Sequence, residues 1–225
     1  MLRKRTDGPI SRYINRRFSL PITHFIVEHN IPITPNQMTV ISFLVGITAA
    51  SFYFLGLTLI AGILVQLSSI LDGVDGELAR ATNRESPFGG FIDALLDRLV
   101  DIAIICGLAY IVIKSNLNLI TSIVVLFAIS GTLMVSYLHA ASERNLKIHA
   151  ARIGVIPSFA SRDVRLFIIF VGSILGFYFE TLLIIALITY LYVITKLFDL
   201  IKHYKQIQLI TSRASHSEAM NAHAQ

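Results

Sequence analysis

Along the chain, apolar residues fall into six long blocks separated by polar breaks, at 37–55, 58–79, 90–113, 118–141, 164–178 and 181–201. A helix needs about 20 residues to cross the hydrocarbon of a bilayer, and these blocks reach or approach that length. The pattern predicts an all-α integral membrane protein with six transmembrane helices. Breaks past Gly56, Lys114 and Gly176 are very short, as antiparallel neighbours require. Ahead of the first block, residues 8–30 interleave Arg12, Arg16 and Arg17 with Ile14, Phe18, Ile22 and Phe25. That mixture predicts an N-terminal amphipathic helix lying in the interface, its basic face toward headgroups and Pro21 bending it. Thr34-Pro35-Asn36 reads as a helix start, with Thr34 as cap and Pro35 in the first turn. The tail from about 203 is polar and is expected to fray. The chain divides on this reading into an interfacial segment (1–33), a six-helix domain (34–202) and a polar tail (203–225).

Composition agrees. The 225 residues are 54% hydrophobic and 15% charged, whereas a soluble domain carries roughly a quarter charged residues. The formal net charge of +5 would suit nucleic acid, but the placement of the basic residues argues for topology instead. Of the 19 Lys and Arg, only Lys114 falls on the side of the short breaks. The positive-inside rule then puts both termini and both long loops in the cytoplasm, beneath the cell membrane, with no nucleic-acid partner. No secretory signal is expected, because the first apolar run begins after residue 30 and no cleavage pattern follows it. The one cysteine, Cys106, lies in an apolar run and excludes a disulfide framework.

Against this apolar background, residues 72–97 set four aspartates in a fixed frame: D-x-x-D-G-x-x-A-R, eight residues, then G-x-x-x-D-x-x-x-D. Ionisable groups in a membrane helix are costly and mark function by default. Asp72 and Asp75 (i,i+3) share one helix face, as do Asp93 and Asp97 (i,i+4). An antiparallel hairpin of the second and third spans would bring the pairs opposite each other near the cytoplasmic ends. Such a cup of carboxylates suits two hard cations, Mg²⁺ or Mn²⁺, rather than zinc. Two ions about 3.5–4 Å apart clamp a pyrophosphate for in-line displacement at phosphorus. Gly76 and Ala79 leave one helix face bare for a base or ribose, Arg80 offers a planar fork to a phosphate, and Gly89-Gly90 gives the loop before the third helix room to turn.

This frame resembles the CDP-alcohol phosphotransferase family, also called CDP-alcohol phosphatidyltransferases, and every fixed position of its signature is matched. The resemblance implies that Asp72, Asp75 and Asp93 hold two metal ions. Asp97 would also touch the metal site and act as general base on the acceptor hydroxyl. Asp72, Asp75, Gly76, Ala79, Arg80 and Gly89 would hold the CDP moiety, helped by Thr34, Pro35, Asn36 and Thr39, which look like the family's P-N-x-x-T entry. The activated hydroxyl would attack the β-phosphorus, releasing CMP and leaving a phosphodiester. A homodimer through the third and fourth helices is expected from the family, with Ala103 and Gly107 allowing close approach.

The acceptor is less legible. His139, Arg144, Arg162, Arg165 and Lys196 lie on the aspartate side and suit a phosphorylated polyol. Arg162-x-x-Arg165 is similar to members using inositol phosphate or glycerol phosphate. After Ser136-Tyr137, however, the inositol-phosphate lipid enzymes resemble a pattern with Lys or Arg where this chain has His139. The stretches T-D-G-P-I-S-R-Y-I-N-R-R, D-G-V-D-G-E-L-A-R-A and S-R-D-V-R-L-F look most like the di-myo-inositol-phosphate-phosphate synthase branch, beside the phosphatidylinositol-phosphate synthases. That resemblance implies inositol-1-phosphate or a similar polyol phosphate as acceptor; a phosphatidylglycerol-phosphate-type or other phospholipid headgroup synthase is the alternative. Membrane lipids and a CDP-alcohol donor are the other partners. Intramembrane prenyltransferases also pair aspartates with magnesium, but the second half of this chain offers only Asp163 and Asp199 as aspartates. A divalent-cation transporter would need polar groups continuing to the far face, where these helices carry almost none. Asp101 is expected to pair locally with Arg98, and Asp199 with Lys196 or Lys202. His149, His203, His216 and His223 have no ligand spacing with an acid or thiol.

Overall fold

The computed structural model describes residues 8–154 and 157–223, with side chains described as far as residue 205. Thr6 and Asp7, which open the N-terminal stretch quoted above, lie outside the described residues. Among those described, every regular element is helical. After a π turn at Ser11–Asn15 come α1 (Arg16–Glu28), α2 (Pro35–Phe54), α3 (Thr58–Ala81), α4 (Pro87–Ser115), α5 (Leu119–Leu146), a 3₁₀ turn at Ala150–Arg152, α6 (Arg162–Leu175) and α7 (Tyr178–His223).

Local sequence explains the boundaries. Thr34 accepts from the Gln37 amide while Gln37 Oε1 accepts from the Thr34 amide at 2.8 Å, a reciprocal cap with Pro35 in the first turn. Ser86 caps α4 in one direction only, accepting from Gly89 N at 3.0 Å. Gly56 and Gly176, both at φ +77°, end α2 and α6 in a left-handed turn open to glycine. Pro21 sits inside α1 without ending it.

Among the described residues, four helices are long and apolar enough to cross a membrane: Pro35–Phe54, Thr58–Ala81, Leu119–Leu146 and Tyr178–Lys205. α4 has the length, at 29 residues, but carries Asp93, Asp97, Arg98 and Asp101. α6, at 14 residues, rises only about 21 Å against a hydrocarbon core of about 30 Å. The protein is thus an integral membrane protein, and its aspartate frame runs from the end of an apolar helix, α3, into the charged α4. α7 also runs on unbroken to His223, past residue 203 where fraying was expected. Residues 203–223 contain no Gly or Pro to break the helix.

α3 and α4 bring Asp72 and Asp75 opposite Asp93, as a hairpin would, and α2 supplies the packing between them. α2 lies against both α3 and α4, while α3 packs further on α6 and α1, and α4 on α5 and α7. The two acid-bearing helices are therefore assembled chiefly around α2. The core joins Tyr53, Val65, Ile104, Leu108, Leu166 and Ile185, all buried. Gly107 belongs to this interior rather than to a dimer face: a Cβ there would lie 2.9 Å from the Ala50 carbonyl and from Tyr53. Arg16 is likewise not turned to headgroups. It is 5% exposed and pairs with Glu77 of α3, whereas Arg12 and Arg17 remain exposed. The apolar side of α1 explains its docking, since Ile22 and Ile26 pack on Val74, Leu78 and Met38.

Candidate active site

Asp72, Asp75 and Asp93 each present an oxygen within 4.8 Å of the others. Asp72 and Asp75 project from the last turns of α3, and Asp93 from the second turn of α4. Thr39, one turn into α2, donates its hydroxyl to Asp75 Oδ2 at 2.6 Å and to the Pro35 carbonyl at 3.1 Å. The other Asp75 oxygen accepts from the Gly76 amide. Both contacts fix the orientation of the carboxylate. Three carboxylates this close repel unless a polyvalent cation lies among them, and an all-oxygen set fits Mg²⁺ or Mn²⁺.

Asp97 sits one turn further along α4, outside that group of three. Arg162 Nη1 lies between it and α3, 3.0 Å from Asp97 Oδ1 and 2.9 Å from Asp72 Oδ1. The same guanidinium donates through Nε to Asp101 at 2.9 Å. Asp101 also takes Arg165 Nη2 at 2.9 Å, with Arg98, its expected local partner, at 3.8 Å.

Two clefts share the aspartate wall. The first, about 500 Å³, is lined by Pro35, Asn36, Thr39, Asp75, Gly76, Ala79, Arg80, Ser86, Gly89 and Asp93, among others. It gathers the expected CDP-binding residues apart from Asp72 and from Thr34, which caps α2. Gly76 is bare enough for the Arg80 guanidinium to fold back to 3.2 Å from where a Cβ would be. Gly89 serves differently from the expected loop hinge. It lies inside α4, and its lack of a Cβ makes room for Ser86 Oγ and Asn36 Oδ1, each within 3.0 Å of that position. The second cleft, about 550 Å³, lies on the other side of Asp75 and Asp93 and is lined by Ser11, Asn15, Arg16, Asp72, Arg162 and Asp163, among others.

The remaining expected acceptor residues line neither cleft. Arg165 is buried on Asp101 and the Ala160 carbonyl. Lys196, fully buried, donates to the Ile153 carbonyl at 2.6 Å, with Asp199 at 3.7 Å as expected. His139 Nε2 is bonded to Tyr192 Oη at 2.9 Å. Arg144 is exposed near the end of α5. His149, without a partner by spacing, packs against His139 with ring centres 4.7 Å apart and planes tilted by 39°. Partial burial pushes the His149 imidazole below its ordinary range, opposed by Glu143 and aided by Arg152. Sequence reasoning missed Glu77, Ser86, Tyr192 and Asp163. Of these, Glu77 was recognisable as a third acid inside the apolar run of α3.

The family model for CDP-alcohol phosphatidyltransferases matches residues 32–201. A bifunctional IPC transferase and DIPP synthase of Thermococcus kodakarensis is 50% identical over 131 residues, 58% of this chain and 29% of that protein. This chain therefore spans well under half the length of that bifunctional relative. The archaetidylinositol phosphate synthase of Pyrococcus horikoshii is 32% identical over 74% of this chain and 83% of its own. Phosphatidylinositol phosphate synthase PgsA1 of Mycobacterium tuberculosis, solved with CDP-DAG bound, has the same fold, with a TM-score of 0.68 at 20% identity over 81% of this chain and 93% of that one. With the aspartate frame converging in space and the family match running across all but the ends of the helical domain, the chain belongs to the CDP-alcohol phosphatidyltransferase family.

Proposed function

We propose that this protein carries out Mg²⁺- or Mn²⁺-dependent transfer of a substituted phosphate from a CDP-alcohol to the hydroxyl of a phosphorylated polyol such as inositol-1-phosphate, releasing CMP. The observation that carries this reading is the group of Asp72, Asp75 and Asp93, two of which, Asp75 and Asp93, stand in the wall of a cleft that the P-N-x-x-T turn and the Gly76–Ala79–Arg80 face enclose. Relatives named for inositol-phosphate products support the acceptor, and a solved complex of PgsA1 with manganese and citrate supports the metal.

Asp72, Asp75 and Asp93 would hold one or two divalent ions, with Asp97 reaching the site from the next turn. Such ions neutralise the pyrophosphate and help acidify a hydroxyl. Thr39 fixes the rotamer of Asp75, and Arg80 takes a phosphate of the CDP moiety. The acceptor enters the second cleft, where Arg162 meets its phosphate. Asp97 accepts the hydroxyl proton as the acceptor oxygen bonds to the β-phosphorus. The bond from that phosphorus to the bridging oxygen breaks, and CMP leaves with the electron pair. Arg165 supports this wall from outside the cleft through Asp101, which it shares with Arg162, while Arg144, His139 and Lys196, expected at the acceptor, lie outside it.

In the membrane we read α2–α7 as six crossings, joined at 55–57, 116–118 and 176–177 on one face. α1 lies in the interface, with Arg12 and Arg17 at headgroup level. Both termini and the aspartates then face the cytoplasm. The protein acts as a homodimer.

CMP release by purified protein with Mg²⁺ tests the reading. CDP-inositol and CDP-diacylglycerol or CDP-archaeol are crossed with inositol-1-phosphate, glycerol-3-phosphate and serine. Release from a pair containing inositol-1-phosphate, abolished in Asp97→Asn, is expected. No CMP from any pair, despite metal-dependent CDP binding, would overturn the transferase reading.

A further inference from the structure

The polar residues that α1 turns toward α3 are used by none of the chemistry above. Asn15, Arg16, Ser19 and Thr23 form one stripe, and all four are buried. Facing them on α3 is a second stripe, Gln66, Ser69, Gly73 and Glu77, spaced by three or four residues. Asn15 is held at both ends, its Nδ2 donating to Ser69 Oγ at 2.9 Å and its Oδ1 accepting from Gln66 at 2.8 Å. Glu77 is fully buried. One of its oxygens pairs with Arg16 and accepts from Ser19 Oγ at 2.7 Å; the other accepts from Thr23 Oγ1 at 2.6 Å. Arg16 also donates to the Gly73 carbonyl at 3.3 Å.

Apolar packing by Ile22 and Ile26 already docks α1 on α3. A buried ionic network often adds little stability over apolar packing of the same volume. What directional bonds add is register. At about 100° per residue, Glu77 lies roughly 0.4 of a turn around α3 from Asp72 and Asp75. Turning α3 by about 10° would move a carboxylate some 6 Å from its axis by about 1 Å, beyond the roughly 0.5 Å that a metal constellation tolerates. Asn15 and Arg16 also line the second cleft together with Asp72, Asp75 and Asp93.

We propose that Glu77 is a positioning residue for the aspartate group. Gripped by Arg16, Ser19 and Thr23, it sets the rotation of α3 at which Asp72 and Asp75 meet Asp93. The N-terminal segment is in this way part of the active-site scaffold. The proposal rests on the metal-dependent reading above and is tested without substrate.

Mn²⁺ binding to the purified full chain in detergent is followed by electron paramagnetic resonance for wild type, Glu77→Gln, Arg16→Met, Arg16→Lys and Thr23→Val. Loss of residues that orient metal ligands weakens affinity about 10–100-fold. That range is expected for Glu77→Gln and Arg16→Met, with partial recovery in Arg16→Lys. Thr23→Val removes a single bond to Glu77 and should weaken binding less, so it carries the test if the stronger variants do not fold. Wild-type Mn²⁺ affinity in Thr23→Val and in every folded Glu77 or Arg16 variant, with only the melting temperature lowered, would overturn the proposal. Because no substrate is present, a failure to release CMP does not change this outcome.

Discussion

Asp93 and Asp101 stand two turns apart on α4, in surroundings of opposite kind. Asp93 faces two carboxylates across the bundle, their oxygens within 4.8 Å. Asp101, 3% exposed, faces three guanidiniums: Arg162 and Arg165 at 2.9 Å and Arg98 at 3.8 Å. An acid surrounded by protein cations is part of the scaffold, and its charge has no work left to do outside it. Acids gathered against one another need a cation from solution. Arg162 joins the two regions, since its Nη1 reaches Asp72 and Asp97 while its Nε holds Asp101. The scaffold half thereby fixes an arginine that points into the chemical half.

The largest effects should separate these two aspartates. Asp93→Asn is expected to lower CMP release on the order of a thousandfold, the rate equivalent of the several kcal/mol that a bound metal supplies. Its thermal midpoint in metal-free buffer should hold or rise, because one like charge is removed. Asp101→Asn should do the reverse first. Breaking a buried ion pair from one side costs about 3–5 kcal/mol, read as a lower midpoint in detergent whether or not metal is added. Equal destabilisation by both substitutions would erase the distinction.

This division explains what the sequence could reveal. The frame from Asp72 to Asp97 was readable because its chemistry demands fixed spacing along two helices, and Thr34-Pro35 because capping is local. The helix count was readable as apolar blocks, although the short, arginine-led α6 and the charged α4 blur the boundary between lipid-facing and protein-facing helix. Contacts between distant stripes were not readable. Nothing in Arg162-x-x-Arg165 says that both arginines meet an aspartate on α4, since that depends on how α6 packs. Arg16 resembled a headgroup-facing residue because its pairing with Glu77 spans 61 positions. Gly89 looked like a hinge because a small residue needed for close approach and one needed for a turn are the same letter.

Arg162 and Arg165 sharpen the comparison at intermediate size. Arg165→Met should lower stability with little change in the Michaelis constant for the acceptor, because its partners are Asp101 and the Ala160 carbonyl. Arg162→Met should raise the acceptor's Michaelis constant more than the donor's, by about tenfold or more for a lost charge-assisted contact. Equal rises for donor and acceptor would remove Arg162 from the acceptor cleft.

The smallest effect belongs to Thr39, whose hydroxyl reaches Asp75 at 2.6 Å. Thr39→Val preserves the shape of the side chain and removes that one donor. A single hydrogen bond of this kind contributes about 1 kcal/mol net, so CMP release should fall about fivefold. Raising the metal concentration should recover most of the loss, because the bond orients a ligand without touching the reacting phosphate. A loss as deep as that of Asp93→Asn, unresponsive to metal, would instead place Thr39 in direct contact with the CDP moiety, making the P-N-x-x-T turn a substrate-binding element in its own right.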